Sequence, residues 1–318
     1  MVEYHLGKRE IISYGLEGSY ASEATRDVLF ECNPEVIPAD ENDWQDVKGS
    51  GADTITATYA IGRNISKFTL KYVPQTWKFL YYVWGLTTNT GGPTYTHTFA
   101  TKTDKTALSS FTLERARGAT TDWVTKWLGC QVNTFRISWD TQGGAGGRSG
   151  FVNCEADVLA QASTDDTLTT IEVGAETPFL ATNVRLTLNS TAKAACVRGT
   201  FNVDNRLTDG FYANTDAANK SESIRQEMLF SGEFIIHYSD ATEWDFMANK
   251  VVVPGTNTLE IYKSATDKLT LTFTDLRIIS ASEPTNLDGV NQVTLRWIAD
   301  SVAPVAVDNE DWGVGYET

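Results

Sequence analysis

The chain has 318 residues, 41% of them hydrophobic, with 24 Gly and 8 Pro; this excludes a low-complexity polymer and leaves room for one large core or two medium ones. Its formal net charge of −15 argues against a protein whose main task is gripping nucleic-acid phosphates through a Lys/Arg surface, but is compatible with a surface that DNA passes without sticking. Nine Trp, twelve Tyr and fourteen Phe, beside many Thr and Val, favour strands over helices.

The N-terminal stretch MVEYHLGKREIISYG lacks the basic and apolar regions of a signal peptide, and no apolar run approaches the length of a membrane span, so neither is expected. Further on, Ile55, Ala57 and Tyr59 alternate with Thr54, Thr56 and Thr58, and residues 65–72 alternate again, which predicts strand. Pro74 suits a first helical turn. Trp77, Leu80, Tyr81 and Trp84 then fall at i, i+3, i+4 and i+7 before Gly85, which predicts a short amphipathic helix facing the core. Residues 94–99 and 109–116 read as two more strands, and His97 reads as a strand residue because no Ser or Cys motif partners it.

Residues 133–160 form the clearest hairpin. Phe135, Ile137 and Trp139 share one face of the incoming strand, and Arg136, Ser138 and Asp140 the other. On the outgoing strand Val152, Cys154, Ala156 and Val158 alternate with Asn153, Glu155 and Asp157. The connector holds Gly143, Gly144, Gly146 and Gly147, followed by Arg148. It joins two strands, with no helix and no Gly-Lys-Ser/Thr after it, so it is a flexible loop and not a phosphate cradle.

A second half begins near Phe179. Val184, Leu186 and Leu188 alternate with Arg185, Thr187 and Asn189, and Phe201 and Val203 with Asn202 and Asp204. Residues 216–226 read as a loop and short helix. A strand over 232–238 leads to a short helix around 244–249, strands at 257–263, 268–273 and 276–281, and a last hairpin over 276–300. The acidic stretch DNEDWGVGYET, residues 308–318, is expected to be loose.

One pattern occurs twice. Phe68 and Tyr72 precede Trp77 and Phe79; Phe234 and Tyr238 precede Trp244 and Phe246. This predicts a duplicated β unit, with those eight aromatics as its repeated core, over residues 1–175 and 176–303, before the tail 304–318.

No catalytic motif is present: there is no Gly-x-Ser-x-Gly, His-Glu-x-x-His, Walker loop or dinucleotide fingerprint. Carboxylate pairs carry no signal among 41 acidic residues. Cys32, Cys130, Cys154 and Cys196 lie far apart, without Cys-x-x-Cys, and read as buried thiols. Neither an enzyme nor a bound metal or cofactor is expected.

Three stretches carry a family resemblance by their order: SSFTLERA leading to WLGCQVNTFRISWD, then GEFIIHYSDATEWDF, then LTLTFTDLRIIS with PTNLDGVNQVTLRWIA. Over about residues 55–300 the chain resembles the tail tube proteins of long-tailed (siphovirus-type) bacteriophages and related archaeal tailed viruses. The resemblance implies a mainly β fold: two sandwich or split-barrel units with short flanking helices, whose long hairpins complete an inter-subunit β-barrel. It implies a virion tail component, made in the host cytoplasm, that polymerises into stacked rings and conducts genome DNA without binding it specifically. Its implied partners are itself, as a homotrimeric pseudo-sixfold ring or alternatively a homohexamer, and other tail proteins such as tape measure, terminator and baseplate. The lumen candidates by alternation are then Arg136, Ser138, Asp140, Asn153, Glu155 and Asp157, with Arg185, Asn202 and Asp204 from the second half. The loop Gly143, Gly144, Gly146, Gly147 and Arg148, with both termini, is the candidate ring-to-ring contact. A β-rich carbohydrate-binding or adhesin module is the rival reading.

Overall fold

The computed structural model describes residues 10–30, 32–47, 57–92, 94–102, 108–117, 123–142, 150–167, 177–193, 196–210, 222–237, 242–282 and 292–312. Period-two alternation gives each strand one apolar face, and these faces are buried between two antiparallel sheets. With strands numbered in chain order, the larger sheet contains a run of Glu35–Pro38 (β3), Ala57–Tyr72 (β5), Asn153–Ala160 (β10), Val124–Asp140 (β9), Cys196–Asp204 (β14), Leu229–His237 (β17), Gln292–Ala299 (β21) and Arg277–Ser282 (β20). Glu10–Leu16 (β1), Val28–Leu29 (β2), Glu41–Val47 (β4), Phe111–Arg117 (β8) and Ala162–Asp165 (β11) extend it. The second sheet runs Thr191–Ala192 (β13), Val184–Leu188 (β12), Thr258–Ser264 (β18), Asp267–Thr274 (β19), Ser301–Asp308 (β22), Tyr95–Thr101 (β7) and Gly85–Gly91 (β6). Leu207–Gly210 (β15) and Glu222–Arg225 (β16) pair separately, so residues 222–225 are strand where a loop and short helix were expected. Among the described residues neither sheet closes into a barrel.

Strand β9 serves two neighbourhoods. Its first half pairs with β8 and β11, and its second half with β10 and β14. Gly129 lies between the halves at φ +63°, and a Cβ there would meet the Gln161 Cβ at 2.9 Å.

The aromatic segment after β5 folds as a 3-10 turn, Lys78–Leu80, running into the helix Tyr81–Trp84 (α1), which Gly85 ends at φ +96°. Phe79 through Trp84 are all buried, so this segment is enclosed between the sheets and is not amphipathic. Trp84 stacks on Phe201 of β14 at 6.3 Å. Asn205 donates to the carbonyls of Val83 and Val132, satisfying a helix-end acceptor far from water.

Both copies of the aromatic pattern lead into the same sequence of elements. Strand β5 is followed by α1, the β6–β7 hairpin in the second sheet and the β8–β9 hairpin in the larger one. Strand β17 is followed by Thr242–Ala248 (α2), the β18–β19 hairpin in the second sheet and the β20–β21 hairpin in the larger one. The side chains differ more. Phe68, Tyr72, Trp77, Phe79 and Phe234 are buried and Phe246 packs partly buried on the core, whereas Trp244 is 40% exposed. The reason is position: α2 lies against β20 at the sheet's outer edge instead of between the layers. Tyr238 lies outside the described residues.

The segment set apart as a tail, from residue 304, is strand at its start, and the expected looseness does not extend to Trp312. Residues 301–308 form β22 in the interior of the second sheet, between β19 and β7, and Trp312 is buried against His97. Hydrophobic alternation at Val302, Pro304 and Ala306, continued by Asp308 hydrogen-bonded to His97, explains the burial. A chain ending at Asp300 should lose cooperative thermal unfolding, while one ending at Trp312 should keep the wild-type Tm by circular dichroism.

Two tryptophans set the spacing of the larger sheet. Trp139 lies opposite Gly199, and Trp297 opposite Gly232. A Cβ on Gly199 would meet the Trp139 ring at 2.4 Å, and one on Gly232 would meet the Thr200 carbonyl at 2.1 Å and the Trp297 ring at 2.5 Å. Gly199→Ala and Gly232→Ala should each cost about 1–3 kcal/mol by overpacking, read as a lower urea midpoint. Ala at Gly18, which has open space around it, should leave the midpoint unchanged.

Candidate functional site

The outer face of the larger sheet is the most extensive polar surface built from the predicted residues. At one level across it the register places Glu35, Lys71, Glu155, Arg136, Asn202, Ser231, Ile298 and Arg277 side by side. The next level joins Asn153, Ser138, Thr200, Glu233, Arg296 and Ser280. On the other side, Ile37, Thr69, Asp157, Thr134 and Asp204 align.

Cross-strand contacts fix these side chains. Thr69 Oγ1 and Thr134 Oγ1 each donate to one carboxylate oxygen of Asp157, both at 2.7 Å. Lys71 lies 3.8 Å from Glu155, and Arg296 donates to Glu233 at 3.3 Å. Arg136 faces Glu155 on one side and Asn202 on the other, while Arg198 faces Asp140 and Ile235. Opposed residues of this kind lie about 5 Å apart at Cβ, within reach of one another's charge.

Eight of the nine lumen candidates therefore share one face: Arg136, Ser138, Asp140, Asn153, Glu155, Asp157, Asn202 and Asp204. Arg185 does not. It sits on β12 in the second sheet, with its guanidinium 3.7 Å over the Tyr262 ring and 3.6 Å from Glu260. Gly143, Gly144, Gly146, Gly147 and Arg148 lie outside the described residues. The prediction omitted Lys67, Thr69 and Lys71 of β5, although the alternation of SKFTLKY opposite Phe68, Leu70 and Tyr72 carried them. It also omitted Arg198, Thr200, Glu233, Arg277 and Arg296.

The face carries charges of both signs. Among the described residues Lys67, Lys71, Arg136, Arg198, Arg277 and Arg296 share it with Glu35, Asp140, Glu155, Asp157, Asp204, Glu233 and Asp300, the last bound to Arg277 through both carboxylate oxygens.

Other chemically capable groups are tied up structurally. His97 lies between Asn89 Oδ1 at 2.6 Å and Asp308 Oδ1 at 2.9 Å, and its ring stacks on Trp312 at 3.5 Å. Trp312 Nε1 donates to the other Asp308 oxygen at 3.0 Å, so the group fastens the end of β22 to β7. Arg26 binds Glu23, Glu114 and Asp166, and Lys126 bridges Glu23 and Asp166, pinning the segment between β1 and β2 onto β8, β9 and its neighbours. Hydrogen bonds from Lys126 and Arg26 hold the Glu23 carboxyl below the usual carboxylate range. Among the described residues no group of His, Cys, Asp and Glu is arranged to hold a metal ion.

A family model described as phage tail tube protein matches residues 45–299, well over half of the chain and every strand of the polar face except β3. No curated protein matches the sequence.

The cysteines give a direct check on the burial beneath the face. Cys130, Cys154 and Cys196 are buried and Cys32 is half-buried. Burial pushes the Cys154 thiol up and the Cys196 thiol up to about 12. At pH 8 a thiol reagent should therefore label at most Cys32 in the native protein, and all four cysteines once the chain is unfolded.

Proposed function

We propose a conduit wall: the chain belongs to the phage tail tube protein family, and the polar face of its larger sheet lines the channel. The protein is a structural component of the virion tail. The observation that carries the reading is an open sheet with one face packed on the core and the other polar and exposed. Closed on itself, an eight-stranded barrel has an interior only wide enough for side chains. Three copies of the eight-strand run would supply 3 × 8 = 24 strands. At about 4.8 Å spacing and about 40° tilt, such a wall is about 150 Å around and about 50 Å across between backbones, which leaves an aqueous channel.

On this reading residues 1–175 and 176–303 are two tube units fused at the β9–β14 seam, and a homotrimer forms a ring with pseudo-sixfold symmetry. The matching order of elements after β5 and β17 supports the duplication. Rings stack into a tube through which genome DNA passes during ejection, and tape measure, terminator and baseplate proteins meet its ends. The loop 143–148 and the termini make ring-to-ring contacts.

Electron microscopy of the purified protein, with its mass in solution, tests this. Stacked rings built from trimers are expected; hexameric rings would replace the fused-unit account, and a monodisperse monomer under all conditions would overturn the conduit. Deleting residues 143–147 should leave the monomer folded and block tube formation, and wild-type tubes from that variant would rule out the loop's role.

A further inference from the structure

Resting on the channel reading, the balance of charge on the larger sheet's polar face bears on how that face treats a polyanion. A phosphate backbone binds wherever cations are free to replace its counterions, and each such contact strengthens binding in a salt-dependent way. The face carries several cations, so a lining that conducts DNA must silence them. Uniform negative charge is one solution, but this face does not use it.

We infer that Glu155 and Glu233 act as cation guards on the polar face, so that a passing polyphosphate meets Lys71 and Arg296 already paired with a carboxylate. Glu155 stands between Lys71 and Arg136 in the sheet, 3.8 Å from the Lys71 amine. Glu233 accepts from Arg296 at 3.3 Å. Both pairs are partly exposed, so their contribution to folding stability is small and their conservation of charge balance is the larger effect. A neutral pair of this kind presents only a short-range dipole, and its field is screened within the Debye length of about 8 Å at physiological ionic strength. Hydroxyls at Thr69 and Thr134 are likewise turned onto Asp157 and away from the channel's contents.

The test is duplex DNA binding by the soluble full-length chain, measured against salt, for the wild type and for the Glu155→Gln/Glu233→Gln variant. The variant should gain affinity about tenfold at low salt, and its plot of log K against log salt should steepen by about 2, for two unmasked phosphate contacts. The matched control is Glu260→Gln/Asp267→Asn, which removes the same charge from ion pairs to Lys268 and Lys263 on the second sheet. Thermal unfolding confirms that both variants are folded. No gain by the guard variant, an equal gain by the control, or wild-type binding as strong as the variant's would each overturn the inference. Microscopy of the same samples keeps the two ideas separate. Absent tubes with a specific gain in DNA binding would remove the conduit and leave the guards, whereas normal tubes without that gain would remove the guards and leave the conduit.

Discussion

The antiparallel seam between β9 and β14 is the constraint on which the rest depends. It runs from Asp140 opposite Arg198 to Thr134 opposite Asp204, and it joins the strands of the first half to those of the second in one continuous sheet. Side chains alternate faces with period two, so a slip of one residue would carry Phe135, Ile137 and Trp139 out of the core and Arg136 and Ser138 into it. Trp139 seated over Gly199 excludes that slip sterically, because only a glycine leaves room beneath the ring. The same device recurs at Trp297 and Gly232. A fixed register thus aligns the charges of separate strands into rows, and the polar face is a consequence of how the core packs.

Much of this was legible in the sequence because alternation is a local signal. The hairpin over 133–160 and the strand through Asn202 and Asp204 place eight candidate residues on one face, as period two requires. What local signals lack is the identity of the partner strand. Arg185 alternates as regularly as Arg136, yet β12 pairs with β18 in the second sheet, and nothing within VRLTL distinguishes the two sheets. Trp244 repeats the spacing of Trp77 but lies on a helix that flanks an edge, and burial there depends on layers formed from distant segments. The strand through residues 304–308 is hidden in the sequence because acidic residues near the chain end mask an alternation whose polar member, Asp308, is satisfied by His97, Trp312 and the Glu310 N–H.

The order of elements after β5 and after β17 agrees more closely than the side chains do, and the difference has a physical basis. The α1 segment fills the space between the sheets, where Phe79 touches Tyr14, Phe30, Tyr72 and Phe111, so any change of volume there is felt by many rings. The α2 segment has a solvent side and can exchange residues at little cost. It has instead taken on edge protection: Met247 Sδ accepts the Ala281 N–H of β20 at 3.1 Å. The bulge between Ile278 and Ser280 interrupts the same outer strand, and Pro38 removes a donor from β3 at the opposite side of the run. An open sheet is a template for indiscriminate pairing, and these three features restrain it on both sides.

Edge restraint and charge balance act on different stages of the same requirement. A wall assembled from open sheets must avoid random pairing while its chains are free, and must avoid adhesion once it encloses a polyanion. The net charge of −15 serves the first need, since like-charged chains in solution repel at long range. Pairing opposite charges within the face serves the second, since a lining crowded with unbalanced carboxylates would pay its own repulsion across a closed ring. Exposed carboxylate–hydroxyl contacts such as Asp157 with Thr69 and Thr134 add polarity without net attraction for phosphate. The polar face can be composed independently of the core because the two sets of side chains occupy alternate residues of the same strands.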